Sequence, residues 1–286
     1  MRLPLAAAVL CAALAACVPP VPSDDRRIAY EDDTVMGIVQ DAGTLRVGLE
    51  EAAPLSFGVD DSPRGFVVAL AEDLAASLGV DAEYVWGSTD ELLAMVAEGD
   101  ADVAFPLTPI TERAVREHAF TDPYLVVHQR IAAPEDAGVE SVADLDGRSV
   151  CAVVEPSTEA DVAQIAPDAR VEVASDVAAC ADALRSGRAD AAVATDALLL
   201  AIVHADDSVA LTGDELSTAG YGAVVAPGTA SWRDYVSNVA WEAKDEGRWT
   251  RWYEQWIAPY VDDPRPAPPK MTLEEAAALF PVDHED

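Results

Sequence analysis

The chain has 286 residues, half of them apolar, enough for two compact lobes that each bury a core. It carries 52 acidic against 18 basic residues, a formal net charge of −34, so a nucleic-acid duplex would be repelled rather than bound. Lys244 and Lys270 are the only lysines, and the carboxylates are scattered rather than blocked, as suits a hydrated surface.

The first seventeen residues read as an export signal. Arg2 gives a minimal positive start, Leu3 to Leu14 an apolar stretch, and Ala15-Ala16 the small residues before Cys17. The apolar stretch is shorter than the roughly 20 residues a spanning helix needs. Leu14-Ala15-Ala16-Cys17 resembles the bacterial lipobox, whose cysteine is lipidated and becomes the mature N-terminus; the alternative is an ordinary signal peptide cut nearby, with Cys17 a spare thiol. The Pro-rich, then charged segment that follows suits a tether. Once Cys11 leaves with the leader and Cys17 serves as anchor, Cys151 and Cys180 remain, and one pair in an exported domain suggests a disulfide, two separate buried thiols being the alternative.

From Thr44 the text alternates strand and helix. Strands are expected at Thr44 to Glu50, Ala82 to Trp86 and Ala101 to Phe105, with helices at Gly65 to Leu78 and from the Ser88–Glu91 cap to Glu98. This is a βαβαβ unit, the signature of a parallel sheet covered by helices. Leu125 to Ala132 is extended and suits a connection between lobes. The pattern then restarts: strands at Ser149 to Val154, Arg170 to Ala174 and Ala189 to Ala194, helices at Thr158 to Ile165, Val177 to Ser186 and Asp196 to His204. Tyr221 to Ala226 reads as a strand crossing back. One long aromatic-rich helix is expected from Ser231 to about Ile257, and a last helix from Met271 to Phe280. The fold expected is α/β, two βαβ-type lobes hinged on two crossing strands. The divisions are a leader over 1–16, a tether over 17–42, a first lobe over 43–127 and 222–260, a second lobe over 128–221, and a Pro-rich linker with a helix over 261–286.

The stretch from Ala101 to Tyr124 carries the candidate chemistry. Pro106 stops a buried strand, and a polar corner from Thr108 to Thr111 leads into Glu112-Arg113. Hydroxyls, backbone N–H groups and one guanidinium gathered there suit a carboxylate, which an arginine fork grips bidentately; pairing of Arg113 with a surface carboxylate is the alternative.

In chain order, Gly65-Phe66, Ala101-Asp102-Val103, Thr111-Glu112-Arg113 and Phe120-Thr121-Asp122-Pro123-Tyr124 resemble the first lobe of polar amino-acid-binding proteins. These are extracytoplasmic solute-binding subunits of ATP-driven uptake transporters, and include glutamine- and glutamate-binding proteins. Asp144-Leu145-Asp146-Gly147, Pro156-Ser157-Thr158, Gly187-Arg188-Ala189-Asp190-Ala191, Thr195-Asp196 and Gly247-Arg248-Trp249 continue the resemblance, over about residues 43 to 260. It implies that Arg113 grips a ligand's α-carboxylate, with Thr108 or Thr111 adding a hydroxyl and N–H. It also implies that Ser157 and Thr158 cap the same carboxylate from the second lobe, and that Asp196 holds the ligand's ammonium, a helix cap being the alternative for Asp196. Cys151 and Cys180 look like the second-lobe disulfide of certain glutamate-binding members. Departures are Pro106-Leu107 where a Gly is usual, Pro156 for Gly, Val67 for Asp, and Ala52 near the place of a pocket aromatic, for which Trp86 is either a substitute or a core residue.

The expectation is a lipid-anchored receptor that closes over a small amino acid or related carboxylate and presents it to permease subunits, working as a monomer with no cofactor. The alternatives on the same fold are an exported cyclic amino-acid dehydratase, with Glu50, Glu51, Glu155 or His128 as acid or base, and a sensory or partner-binding lipoprotein. The four histidines, His118, His128, His204 and His284, lack metal-ligand spacing.

Overall fold

The computed structural model describes residues 28–59, 62–153, 162, 166–261 and 267–279. Two five-stranded sheets organise them. The first contains β1 (Thr44–Leu49), β4 (Asp81–Trp86), β5 (Val103–Phe105), β6 (Ala119–Phe120) and β12 (Val224–Val225), in the order β4-β1-β5-β12-β6. β4, β1 and β5 are parallel, with Leu49 level with both Trp86 and Phe105, so one edge collects the C-terminal ends of all three. A hairpin, β2 (Phe57–Val59) and β3 (Ser62–Arg64), is inserted after β1. The second sheet contains β7 (Leu125–Pro134), β8 (Ser149–Val153), β9 (Arg170–Ala174), β10 (Ala191–Thr195) and β11 (Val209–Tyr221), in the order β11-β7-β10-β8-β9. β10, β8 and β9 are parallel, β7 runs against β10, and β11 runs against β7, in the direction of the other three.

Local chemistry accounts for the helices. α1 (Val35–Ala42) starts where Thr34 Oγ1 accepts the Gly37 N–H at 3.1 Å, and α3 (Thr89–Glu98) starts in a Ser88–Glu91 capping box. α2 (Phe66–Leu78) needs glycine at its cap: Gly65 has φ +131°, and a Cβ there would lie 2.2 Å from the Leu55 carbonyl oxygen. α4 (Glu112–Glu117), α5 (Val177–Arg185) and α6 (Asp196–Ala205) follow strands, as a βαβ reading requires.

Several expectations are corrected. The stretch read as tether holds α1, whose Met36 and Val39 are buried against the first lobe. The return crossing falls at Tyr221 to Ala223, inside the stretch expected, but a long strand that was not expected, β11, leads into it, and β12 is a separate two-residue strand. The long aromatic helix is two, α7 (Ala230–Asp245) and α8 (Arg248–Trp256), because Gly247 turns left-handed at φ +73°. The helix expected over 158–165 falls outside the described residues but for Val162.

The tryptophans lock these helices to the first sheet. Trp232 and Trp249 are fully buried, and their ring N–H groups donate to the backbone oxygens of Asp102 and Tyr124, each at 2.7 Å. Phe66, Phe105 and Tyr124 fill the space between. α9 (Leu273–Ala277) packs beside the crossing strands, its Ala276 buried with Ile110, Phe120 and Val224. The crossings themselves are bonded to each other, Tyr124 N–H to the Tyr221 oxygen at 2.9 Å and Thr121 N–H to the Ala223 oxygen at 2.8 Å. Cys151 on β8 and Cys180 on α5 are joined by a disulfide.

Candidate functional site between two sheet edges

In open α/β sheets, ligands bind outside the carboxyl ends of parallel strands, where backbone groups run out of partners. Here two such edges exist. On the first, β1 leads into Glu50, β4 into Gly87 and β5 into the Pro106–Thr111 corner. Glu50 is half-buried, and its Oε2 accepts the Leu107 N–H at 3.0 Å and the Thr89 hydroxyl at 2.6 Å. That carboxylate is therefore part of the edge rather than a loose surface charge. Glu51 beside it is exposed, and Trp86 keeps 39 % of its surface open at the end of β4.

The corner is pinned from behind. Ile110 N–H donates to the Gly220 oxygen at 2.9 Å, and Pro109 bridges to Tyr221. Thr108 is half-buried; Thr111 is buried and its Oγ1 accepts the Ala114 N–H at 3.1 Å, which makes it the N-cap of α4. Arg113 is exposed on the first turn of α4 and is engaged by another residue.

On the second edge, β10 ends at Thr195 and α6 begins at Asp196. Thr195 takes the N-cap position, so the cap alternative for Asp196 falls to its neighbour. Asp196 Oδ1 accepts the N–H groups of Ala197 at 2.8 Å and His128 at 3.1 Å, and Oδ2 faces His128 Nδ1 at 3.3 Å. The other ring nitrogen, Nε2, lies 3.4 Å from Glu215 Oε2. The Asp196 hydrogen bond raises the His128 pKa against the opposing effect of burial; Glu215 adds to the rise and Arg130 opposes it. The Thr195 and Tyr221 hydroxyls are hydrogen-bonded, so Tyr221 touches both the Pro106–Thr111 corner and the start of α6.

The structure thus brings Thr108, Thr111 and Arg113 to one edge and Asp196 to the other. Ser157, Thr158 and Glu155 lie outside the described residues. Glu50 was underweighted in the sequence; its position directly after a buried strand was the available signal. The His128–Asp196–Glu215 group had no local signal, because its members come from three elements. Among the described residues no group of three or more His, Cys, Asp or Glu side chains is arranged to hold a metal ion, and no helix is long and apolar enough to cross a membrane.

Two α/β sheets joined by paired crossing strands, with polar corners at the ends of their parallel strands that both contact Tyr221, define a hinged solute-binding protein. Residues 45–259 match the family of bacterial extracellular solute-binding proteins, family 3, and the chain belongs to that family. It is accordingly an exported protein. It is similar to the ABC transporter glutamine-binding protein GlnH of Bacillus subtilis, at 25% identity over 252 residues, 85% of this chain and 92% of that one. Among solved structures, a mutant of ArgBP from T. maritima superposes with a TM-score of 0.68 at 26% identity, covering 78% of this chain and 99% of that one. The ancestral amino acid-binding protein AncCDT-1, a precursor of cyclohexadienyl dehydratase, gives a TM-score of 0.68 at 25% identity with the same coverage.

Proposed function

We propose that this protein is a receptor for a small amino acid, held on the outer face of the cell membrane by a lipid on Cys17 and serving the permease subunits of an ATP-driven transporter. The observation that carries the reading is the pair of polar sheet edges tied together by Tyr221. In this reading Arg113 grips the ligand's α-carboxylate beside Thr108 and Thr111, with Ser157 and Thr158 capping it from the second lobe, and Asp196 receives the ammonium. Closure desolvates the arginine–carboxylate pair and strengthens it. Glu50, fixed at the same edge, favours a cationic or amide side chain on the ligand, in line with the names of the glutamine- and arginine-binding relatives.

A thermal-shift screen of the purified protein against amino acids and small carboxylates tests this. A ligand at about 100 times its dissociation constant stabilises by about 2.7 kcal/mol; no shift with any amino acid contradicts it. A dehydratase-like activity is the second reading, favoured by the His128–Asp196 pair, which has acid–base geometry. Product analysis of the same samples separates the two.

A further inference from the structure

His128 stands on β7, Asp196 opens α6 and Glu215 lies on β11, so three elements converge on one imidazole. The β7–β11 register is interrupted between Thr212 and Ser217, and Glu215 lies in that interruption. The ring is bracketed by carboxylates, Asp196 Oδ2 at 3.3 Å and Glu215 Oε2 at 3.4 Å. The charged groups that act on it among the described residues are Asp196 from α6, Glu215 from β11 and Arg130 from its own strand. Both backbone N–H bonds to Asp196 go to Oδ1. Oδ2 is therefore the oxygen placed to meet an incoming cation, and it is the oxygen that His128 faces. About a quarter of each side chain is open, 25% for His128 and 23% for Asp196, so a ligand can reach the pair.

We propose that His128 determines which ligands the second edge accepts and at what pH, as an internal partner of Asp196 that a ligand ammonium has to displace. The inference rests on the reading above in which Asp196 receives that ammonium. When the ring is an imidazolium, one cation must replace another, and binding expels a proton. When it is neutral, the ring yields without that cost. Affinity for an amine-bearing ligand therefore rises with pH across the histidine range, whereas a plain carboxylate, which does not need Asp196, shows no such rise.

Calorimetry with L-arginine and L-glutamine at about pH 5.5 and about pH 8, in buffers of different ionisation enthalpy, tests this on wild type, His128→Asn and Glu215→Gln. In wild type the affinity falls roughly tenfold at the lower pH, and about one proton is released per ligand where the ring titrates. His128→Asn loses the pH dependence. Glu215→Gln moves it to lower pH, and this exposed position keeps the test intact if the His128 variant does not fold. Binding that is the same at both pH values in wild type, or a wild-type pH slope in His128→Asn, overturns the inference alone. If neither of these nor any other amino acid in the thermal-shift screen binds at either pH, the inference falls together with the proposed function.

Discussion

Glu50 and Leu107 are 57 residues apart, yet the carboxylate at the end of β1 accepts the N–H that opens the corner after β5, at 3.0 Å. The same oxygen holds the Thr89 hydroxyl at the start of α3. One side chain thus sets the spacing of three loops on the first sheet's edge. Glu50→Ala leaves two donors without their acceptor, which typically costs about 1–3 kcal/mol. Urea denaturation is expected to show that loss; stability equal to wild type would mean the carboxylate organises nothing.

Asp122 fastens the C-terminal segment. Its Oδ1 accepts the Leu273 N–H at 2.7 Å and its Oδ2 accepts the Trp241 ring N–H at 2.9 Å, joining α9 to α7 next to the crossing strands. Asp122→Asn turns one of those acceptors into a donor facing a donor, with an expected cost of about 1–3 kcal/mol. An unchanged melting temperature, or protection of Leu273 from hydrogen exchange as in wild type, would contradict it.

Lys244 gives a pH signature. Burial pushes its pKa down from 10.5 to about 8, with Asp122 and Asp245 pulling the other way, while its ammonium donates to the Pro123 oxygen and lies over the Trp241 ring. Between about pH 8 and 10.5 the unfolded chain binds more protons at this site than the folded one, so its contribution to stability rises with pH. Below about pH 8 the cost of the buried charge is fully present. Melting curves of wild type and Lys244→Met from pH 7 to about pH 10 are expected to show wild type gaining on the variant. A constant difference would remove the assignment.

The disulfide closes a loop between residues 29 apart. By chain entropy, removing it costs roughly 3–4 kcal/mol. Cys151→Ala with Cys180→Ala, compared with wild type under oxidising conditions, checks this, and equal stability would assign the bridge no role in folding.

Much of this architecture is legible in the chain because its punctuation is local. The Ser88–Glu91 box, Thr111, Gly79 and Gly99 each mark a helix end through a hydrogen bond or a left-handed turn within a few residues. β11 was not legible: Gly213, Asp214 and Glu215 interrupt it, and only the pairing with β7 on either side of that break, at Val209 to Thr212 and Ser217 to Tyr221, makes the strand. The break at Gly247 was masked by aromatic residues that keep a helical period on both sides. For the site, the Thr108–Arg113 corner and Asp196 were readable as motifs. The His128–Asp196 contact spans 68 residues, and it exists only because β7 and β10 are neighbours in the sheet.

The proposed function requires that Arg113 grip a ligand carboxylate. Calorimetry of wild type, Arg113→Ala and Arg113→Lys with the amino acid that gives the largest thermal shift measures it. Losing a charge-assisted partner from a closed site costs about 2–5 kcal/mol, so Arg113→Ala is expected to weaken binding by roughly 30-fold or more. Arg113→Lys is expected to recover part of that, because an ammonium lacks the planar fork. An Arg113→Ala protein that binds as tightly as wild type would show that the carboxylate is held elsewhere.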